Sequence, residues 1–128
     1  MTSNRLVPSS KDDLDAINAL ANASEQDIIA VADELLEWLQ DGNWPVSYPV
    51  GVILSRYVNK LSDKLVSVFR SYDSIWKYWC IKFIIMELNI NQIPSDIIHE
   101  LRRMVESPTA SDIEEGAAEA ATEVLSGH

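Results

Sequence analysis

Ser24-Glu25-Gln26-Asp27-Ile28-Ile29-Ala30-Val31-Ala32-Asp33-Glu34-Leu35-Leu36-Glu37-Trp38-Leu39-Gln40-Asp41-Gly42 decides the fold class. On a wheel of about 100° per residue, Ile28, Val31, Ala32, Leu35, Leu36 and Leu39 share one side, and Asp33, Glu34, Glu37 and Asp41 share the other. That separation is the period of an amphipathic helix, not the alternation of a half-buried strand. Ser24 stands where an N-cap oxygen is wanted, with Asp27 three residues later as a weaker capping-box partner. The spacing predicts one helix from Ser24 to about Asp41, closed by Gly42 at the C′ position.

The same period extends in both directions. Upstream, Leu14, Ile17 and Leu20 predict a first helix over 12–22, after a polar lead, Met1 to Ser10. Downstream, Asn43-Trp44-Pro45-Val46 reads as a turn, because proline biases the residue before it away from helix. Tyr48-Pro49 opens a third helix over about 50–59, and Leu61, Leu65, Val68 and Phe69 carry a fourth over 61–70. Asp73 caps a fifth over 74–88, apolar on nearly every side and so expected to be buried between neighbours. Ser95 caps a sixth to Glu106, with Ile97, Leu101, Met104 and Val105 inward. A seventh runs over 111–125 and packs through Ile113, Ala117, Ala120, Ala121 and Val124.

The expected fold is therefore all-α, with about seven helices in one domain over residues 11–126. Short connections predict antiparallel pairs: one with two, three with four, five with six, and the seventh as a cap. A pair length of roughly 35–45 residues suits a HEAT-like αα-repeat stack. A compact helical bundle is the alternative.

Composition narrows the function classes. The chain has 20 acidic and 10 basic residues and a formal charge of −10. Such a balance excludes a general nucleic-acid binder, which needs clustered Lys and Arg against phosphate, and disfavours an anionic membrane surface. It suits a basic protein partner, since opposite fields steer encounter. Charge is also uneven along the chain. Residues 1–41 carry 9 acidic and 2 basic side chains, residues 42–82 carry 2 and 6, and residues 83–128 carry 9 and 2. The basic middle is thus expected to pair with the acidic ends, leaving less free negative surface than the total suggests. A single cysteine, Cys80, allows no internal disulfide and fits a cytoplasmic location. Residues 1–10 hold no apolar signal core, and apolar runs such as Phe83 to Met86 are far short of a membrane span.

Two tryptophan-bearing stretches carry a family resemblance. Leu35-Leu36-Glu37-Trp38-Leu39-Gln40-Asp41-Gly42-Asn43-Trp44-Pro45-Val46 resembles the ELLEWLQDxNWPV signature of the bacterial DUF5071 family. Asp73-Ser74-Ile75-Trp76-Lys77-Tyr78-Trp79 resembles its second signature, DxIWKYW. The spacing between them, and the Ser107-Pro108-Thr109 segment before an acidic helix, also look similar, so the likeness covers nearly the whole chain. The resemblance implies a small HEAT-like helical domain of unknown function, with no catalytic residues and no cofactor to carry over. Trp38, Pro45, Trp76, Tyr78 and Trp79 are its structural motif residues. Small acidic proteins of this sort also look like immunity proteins, which neutralise toxin domains passed between competing bacteria. That step is analogy across a class, since fold does not fix function.

The candidate partner-binding residues are Asp33, Glu34, Glu37 and Asp41 on the second helix, Trp44 beside them, and Glu115, Glu119 and Glu123 on the seventh. Like charges at i, i+4, i+8 destabilise a helix unless a cation relieves them. They read either as sites for a partner's cationic side chains or as ordinary solvated faces. Trp44 reads either as a staple holding its turn to the core or as an exposed anchor. Catalytic and metal readings find little. His99 lies on the polar side of its helix, His128 is terminal, and Cys80 sits among apolar residues with no local base. These three make no zinc set. The expected function is an immunity-type inhibitor of a basic, nuclease-like toxin domain. A general HEAT-like adaptor that binds a peptide or housekeeping protein is the first alternative, and an enzyme using carboxylates the second.

Overall fold

Ser24 caps its helix as its position predicts: its hydroxyl accepts the Asp27 N–H at 3.1 Å. A computed structural model describes residues 5–127; the start of the polar lead, 1–4, and His128 lie outside the described residues. Among the described residues there are nine α-helices and no strand. They are α1 (Leu14–Ala21), α2 (Glu25–Ala30), α3 (Ala32–Glu37), α4 (Ser47–Ser55), α5 (Val58–Phe69), α6 (Ser74–Phe83), α7 (Ser95–Glu106), α8 (Ala110–Glu114) and α9 (Ala117–Leu125). No helix among them is long and apolar enough to cross a membrane.

Two of the seven expected helices are each divided in two. The second breaks at Val31, whose φ of −113° and ψ of 14° leave the helical region. Its N–H closes a tight i→i−3 bond on Ile28, and three β-branched residues within four positions crowd that turn. The seventh breaks at Gly116, which adopts φ +88° and ψ 2°, a left-handed conformation that side chains resist. Thr109 and Asp112 form a reciprocal capping box that starts α8 earlier than expected.

Other boundaries also shift. Gly42 is not a left-handed C′ residue: among the described residues only Gly116 and Gly127 have positive φ, and α3 has already ended at Glu37. Gly42 serves closeness instead, since a Cβ there would run into the Trp79 ring. Pro94, not Ser95, holds the N-cap position of α7, and no side chain caps that end. Helix α6 stops at Phe83, and 3-10 turns at Ile85–Glu87 and Ile90–Gln92 replace its expected last turn. Val105 and Ile113, both expected inward, are exposed. The packed region begins before residue 11, for Leu6 lies in the core and Pro8 is buried.

Packing joins helices two apart more than the expected consecutive pairs. Helices α1, α4, α6 and α9 touch in succession and form one row. Helices α5 and α7 pack together in a second row. The α2–α3 segment is tied to α5 through Glu25–Lys60 at 3.8 Å and Asp33–Lys64 at 2.9 Å. The core between the rows is mainly aliphatic, with Leu35, Leu54, Leu65, Ile81 and Leu101 fully enclosed around the aromatic Phe69.

The second tryptophan signature is the clamp of this arrangement. Asp73 accepts the Trp76 N–H and caps α6. The half-buried Trp76 donates its indole Nε1–H to the Leu36 carbonyl at 2.8 Å, and Trp79 lies against Gly42. These contacts fasten the second signature onto the first. Tyr78 sits against Gly116 and stacks edge-on with Trp79, centroids 4.8 Å apart. Lys77 is buried and donates to Asp112 at 3.0 Å, and Ser74 donates to the same oxygen at 2.6 Å. One heptapeptide thus fixes α3, α6, α8 and the start of α9.

Candidate functional site

Helix α3 buries Ala32, Leu35 and Leu36 and leaves Asp33, Glu34 and Glu37 exposed. The expected acidic ridge is shorter than its spacing implied. Asp41 lies beyond the helix end, where its carboxylate accepts the Asn43 N–H at 2.9 Å and shapes the turn. Asp33 is paired with Lys64 from α5. Glu34 and Glu37 have no ion-pair partner among the described residues. At i,i+3 the two repel by about 0.2–0.5 kcal/mol. Glu37 also sits in the last turn, where the helix carbonyl end is already negative and no basic residue stands.

The two tryptophans of the first signature adjoin this pair of carboxylates. Trp38 occupies the C-cap of α3, and Trp44 packs on it edge to face, centroids 5.3 Å apart and planes at 70°. Both are half-buried, so Trp44 staples its turn through Trp38 while keeping part of its ring at the surface. Pro45 is exposed in the turn before α4. Trp38 and Trp44, with Val7, Glu34, Glu37 and Gln40, line a cavity of about 280 Å³. Val7 and Gln40 were not candidates from sequence: Val7 belongs to the lead, and only folding brings it across to α3.

On the other side of α3 a second groove, of about 410 Å³, runs between α3, α5 and α6. Leu36, Val68 and Trp76 supply its apolar wall, and Asp33, Glu37, Asp63 and Lys64 its charges, so Glu37 lines both hollows. The two sides of α3 therefore differ. The groove holds Lys64, paired with Asp33, whereas among the described residues no basic side chain lines the cavity beside Trp38 and Trp44.

The C-terminal acidic set is less unified. Glu115, Glu119 and Glu123 are all exposed, but Glu115 ends α8, and Gly116 separates it from the other two on α9.

The expected pairing of the basic middle with the acidic ends is present. Lys60, Lys64, Arg70 and Lys77 reach Glu25, Asp33, Glu100 and Asp112. A fifth pair joins Arg103 to Glu100 at 3.0 Å. Yet the surplus survives, because each pair uses a cation too. Among the described residues sixteen acidic and five basic side chains lie outside these pairs. The expectation of a weakened negative surface is thus corrected.

Two buried carboxylates were not singled out from sequence. Glu100 is enclosed and receives Arg70 and Arg103 Nε–H at 2.9 and 3.0 Å. Arg103 also donates to the Phe69 carbonyl at the end of α5. Burial alone would raise the Glu100 carboxyl, but the two guanidinium bonds outweigh it and hold the pKa below its ordinary value. For Asp112 burial also opposes ionisation, and the bonds from Ser74, Lys77 and Thr109 overcome it, so its pKa is lowered too. Carboxylates held ionised in this way make poor general acids. The Cys80 thiol is fully buried and pushed up, chiefly by that burial, and His99 is exposed.

The family model described as a domain of unknown function, DUF5071, matches residues 6–125, nearly the whole chain. No curated protein matches it.

Proposed function

The chain belongs to the DUF5071 family, and from that premise we propose that it is a protein-binding module of the immunity type, which neutralises a basic, nuclease-like bacterial toxin domain by covering it. One observation carries this reading: Glu34 and Glu37 stand exposed and, among the described residues, without an ion-pair partner, beside two half-buried tryptophans. Interfaces concentrate their energy in such aromatic anchors, and charge complementarity supplies steering and specificity. The excess of sixteen acidic over five basic side chains outside ion pairs among the described residues gives that steering its sign. The rows of helices, which we read as a HEAT-like stack, would present α3 rigidly, so little ordering entropy opposes binding.

The groove between α3, α5 and α6 favours the adaptor reading, since an extended peptide could lie along Leu36, Val68 and Trp76. Two variants discriminate. Glu34→Lys with Glu37→Lys reverses the acidic surface; Ser67→Trp fills the groove, because Ser67 is an exposed residue of its lining. The test is co-expression with any basic toxin domain found encoded beside this chain. We expect growth protection that the charge reversal abolishes and Ser67→Trp leaves intact. Absence of any such neighbouring domain, or failure of the unaltered chain to protect, overturns the immunity reading. Loss of partner binding through Ser67→Trp alone favours the adaptor.

A further inference from the structure

We propose that the cavity between α3 and the Trp44 turn receives a single arginine side chain displayed on the surface of a protein partner. The inference rests on the protein-binding reading above and names the chemistry of its anchor. The cavity is lined by Val7, Glu34, Glu37, Trp38, Gln40 and Trp44. Three independent features select a cation. Glu34 and Glu37 lie one turn apart, with no ion-pair partner among the described residues. Glu37 sits at the carbonyl end of its helix, where a positive group is favoured. Indole rings attract cations more strongly than other aromatic side chains do.

The molecule supplies its own comparison. In the adjoining groove Asp33, one turn before Glu37, is met by Lys64 at 2.9 Å. Glu37 lines that groove and the tryptophan cavity alike, and among the described residues no basic side chain lines the cavity.

Arginine fits better than lysine on geometry. The tryptophan planes stand at 70°, so a flat guanidinium can lie along one ring with its edge toward the carboxylates. Two carboxylates and the Gln40 amide oxygen offer acceptors for its five fixed N–H donors. An ammonium group is a compact point charge and has no flat face to stack. A quaternary ammonium cannot donate to the carboxylates at all. A free amino acid carries its own carboxylate into an acidic surface, which favours an arginine within a chain.

The test follows the indole N–H resonances of Trp38 and Trp44 by NMR during titration with the capped tripeptide acetyl-Gly-Arg-Gly-amide. Expected are saturable shifts at both indoles, about tenfold weaker affinity for the lysine peptide, and none for the neutral citrulline peptide. Free arginine should bind less tightly than the capped peptide. Glu34→Gln with Glu37→Gln should abolish the shifts while the helical circular dichroism is kept, since both positions are exposed. Trp44→Phe provides a second variant that retains an aromatic ring and should weaken binding. Absent saturation, equal response to citrulline, parity with free arginine, or shifts that persist in the double glutamine variant would each overturn the proposal. Co-expression separates this from the wider reading. If the double glutamine variant still protects against the toxin domain, the immunity reading stands and the arginine pocket fails. Arginine-peptide binding without any protection leaves the pocket standing and removes the immunity reading.

Discussion

Lys77 has the most demanding environment of any cation in the protein. Its side chain is enclosed, it is bonded to Asp112 at 3.0 Å, and Asp112 itself is wholly buried. Removing one member of a buried pair strands the other charge, at a cost of about 3–5 kcal/mol. Lys77→Met should therefore lower the free energy of urea unfolding by about that much. Adding Asp112→Asn should return part of the loss, because the stranded charge disappears while Ser74 and the Thr109 cap keep a polar partner. A loss for Lys77→Met within about 0.5 kcal/mol, the range of ordinary surface changes, would show that water reaches Asp112. Nothing in the sequence announces this pair. Lys77 lies in a helix that reads as apolar on nearly every side, and its partner is 35 residues away. Periodicity reports which face a residue occupies, not which distant residue meets it. Ser24 and Asp73 were legible for the opposite reason, since an N-cap is satisfied within three residues.

At the scale of elements, the division of the last helix rests on one glycine. Gly116 at φ +88° is a conformation that costs a side-chain-bearing residue about 1–2 kcal/mol. An added Cβ would also stand 3.3 Å from the Tyr78 ring, tighter than ordinary contact. Gly116→Ala should thus destabilise the fold by at least about 1 kcal/mol in thermal or urea unfolding. Gly127 is the control: its φ is +81°, but nothing surrounds it, and it lies at the frayed end past α9. Gly127→Ala should cost less than Gly116→Ala; equal costs would mean that α8 and α9 do not depend on this junction. The same glycine explains the misread acidic ridge. Wheel positions for Glu115, Glu119 and Glu123 assume one continuous helix, and a left-handed residue between the first two voids that assumption. On α3 the assumption failed differently. Helix end and Asx-type turn removed Asp41, while Glu34, Glu37 and Trp44 line one cavity with Trp38. Val7 and Gln40 complete that cavity, and Val7 reaches it only through the folding of the lead against α3.

For the whole molecule, pH and salt act on two opposed electrostatic terms. Glu100 and Asp112 have folded pKa values below their ordinary 4.5 and 3.8. The unfolded chain therefore binds protons at these sites before the folded one does. Their contribution to stability is complete above about pH 4.5, and it is lost as pH falls through 4.5 and 3.8 toward the lower folded values. Against this, the excess of exposed carboxylates repels itself at neutral pH, and acid relieves that repulsion. Salt separates the two, because it screens surface charges beyond about 8 Å at physiological strength and buried pairs much less. At pH 7, raising salt should increase the unfolding free energy by easing the surface repulsion. Near pH 4 the same change should have a smaller effect, since fewer surface carboxylates remain ionised. At high salt the acid decline should stand out clearly, beginning near pH 4.5. Glu100→Gln should reduce its steepness, because that site no longer titrates. An acid limb unchanged by Glu100→Gln at high salt would mean that other carboxylates set it, and that the Arg70–Glu100–Arg103 cluster does not hold α5 to α7 in the way its geometry implies.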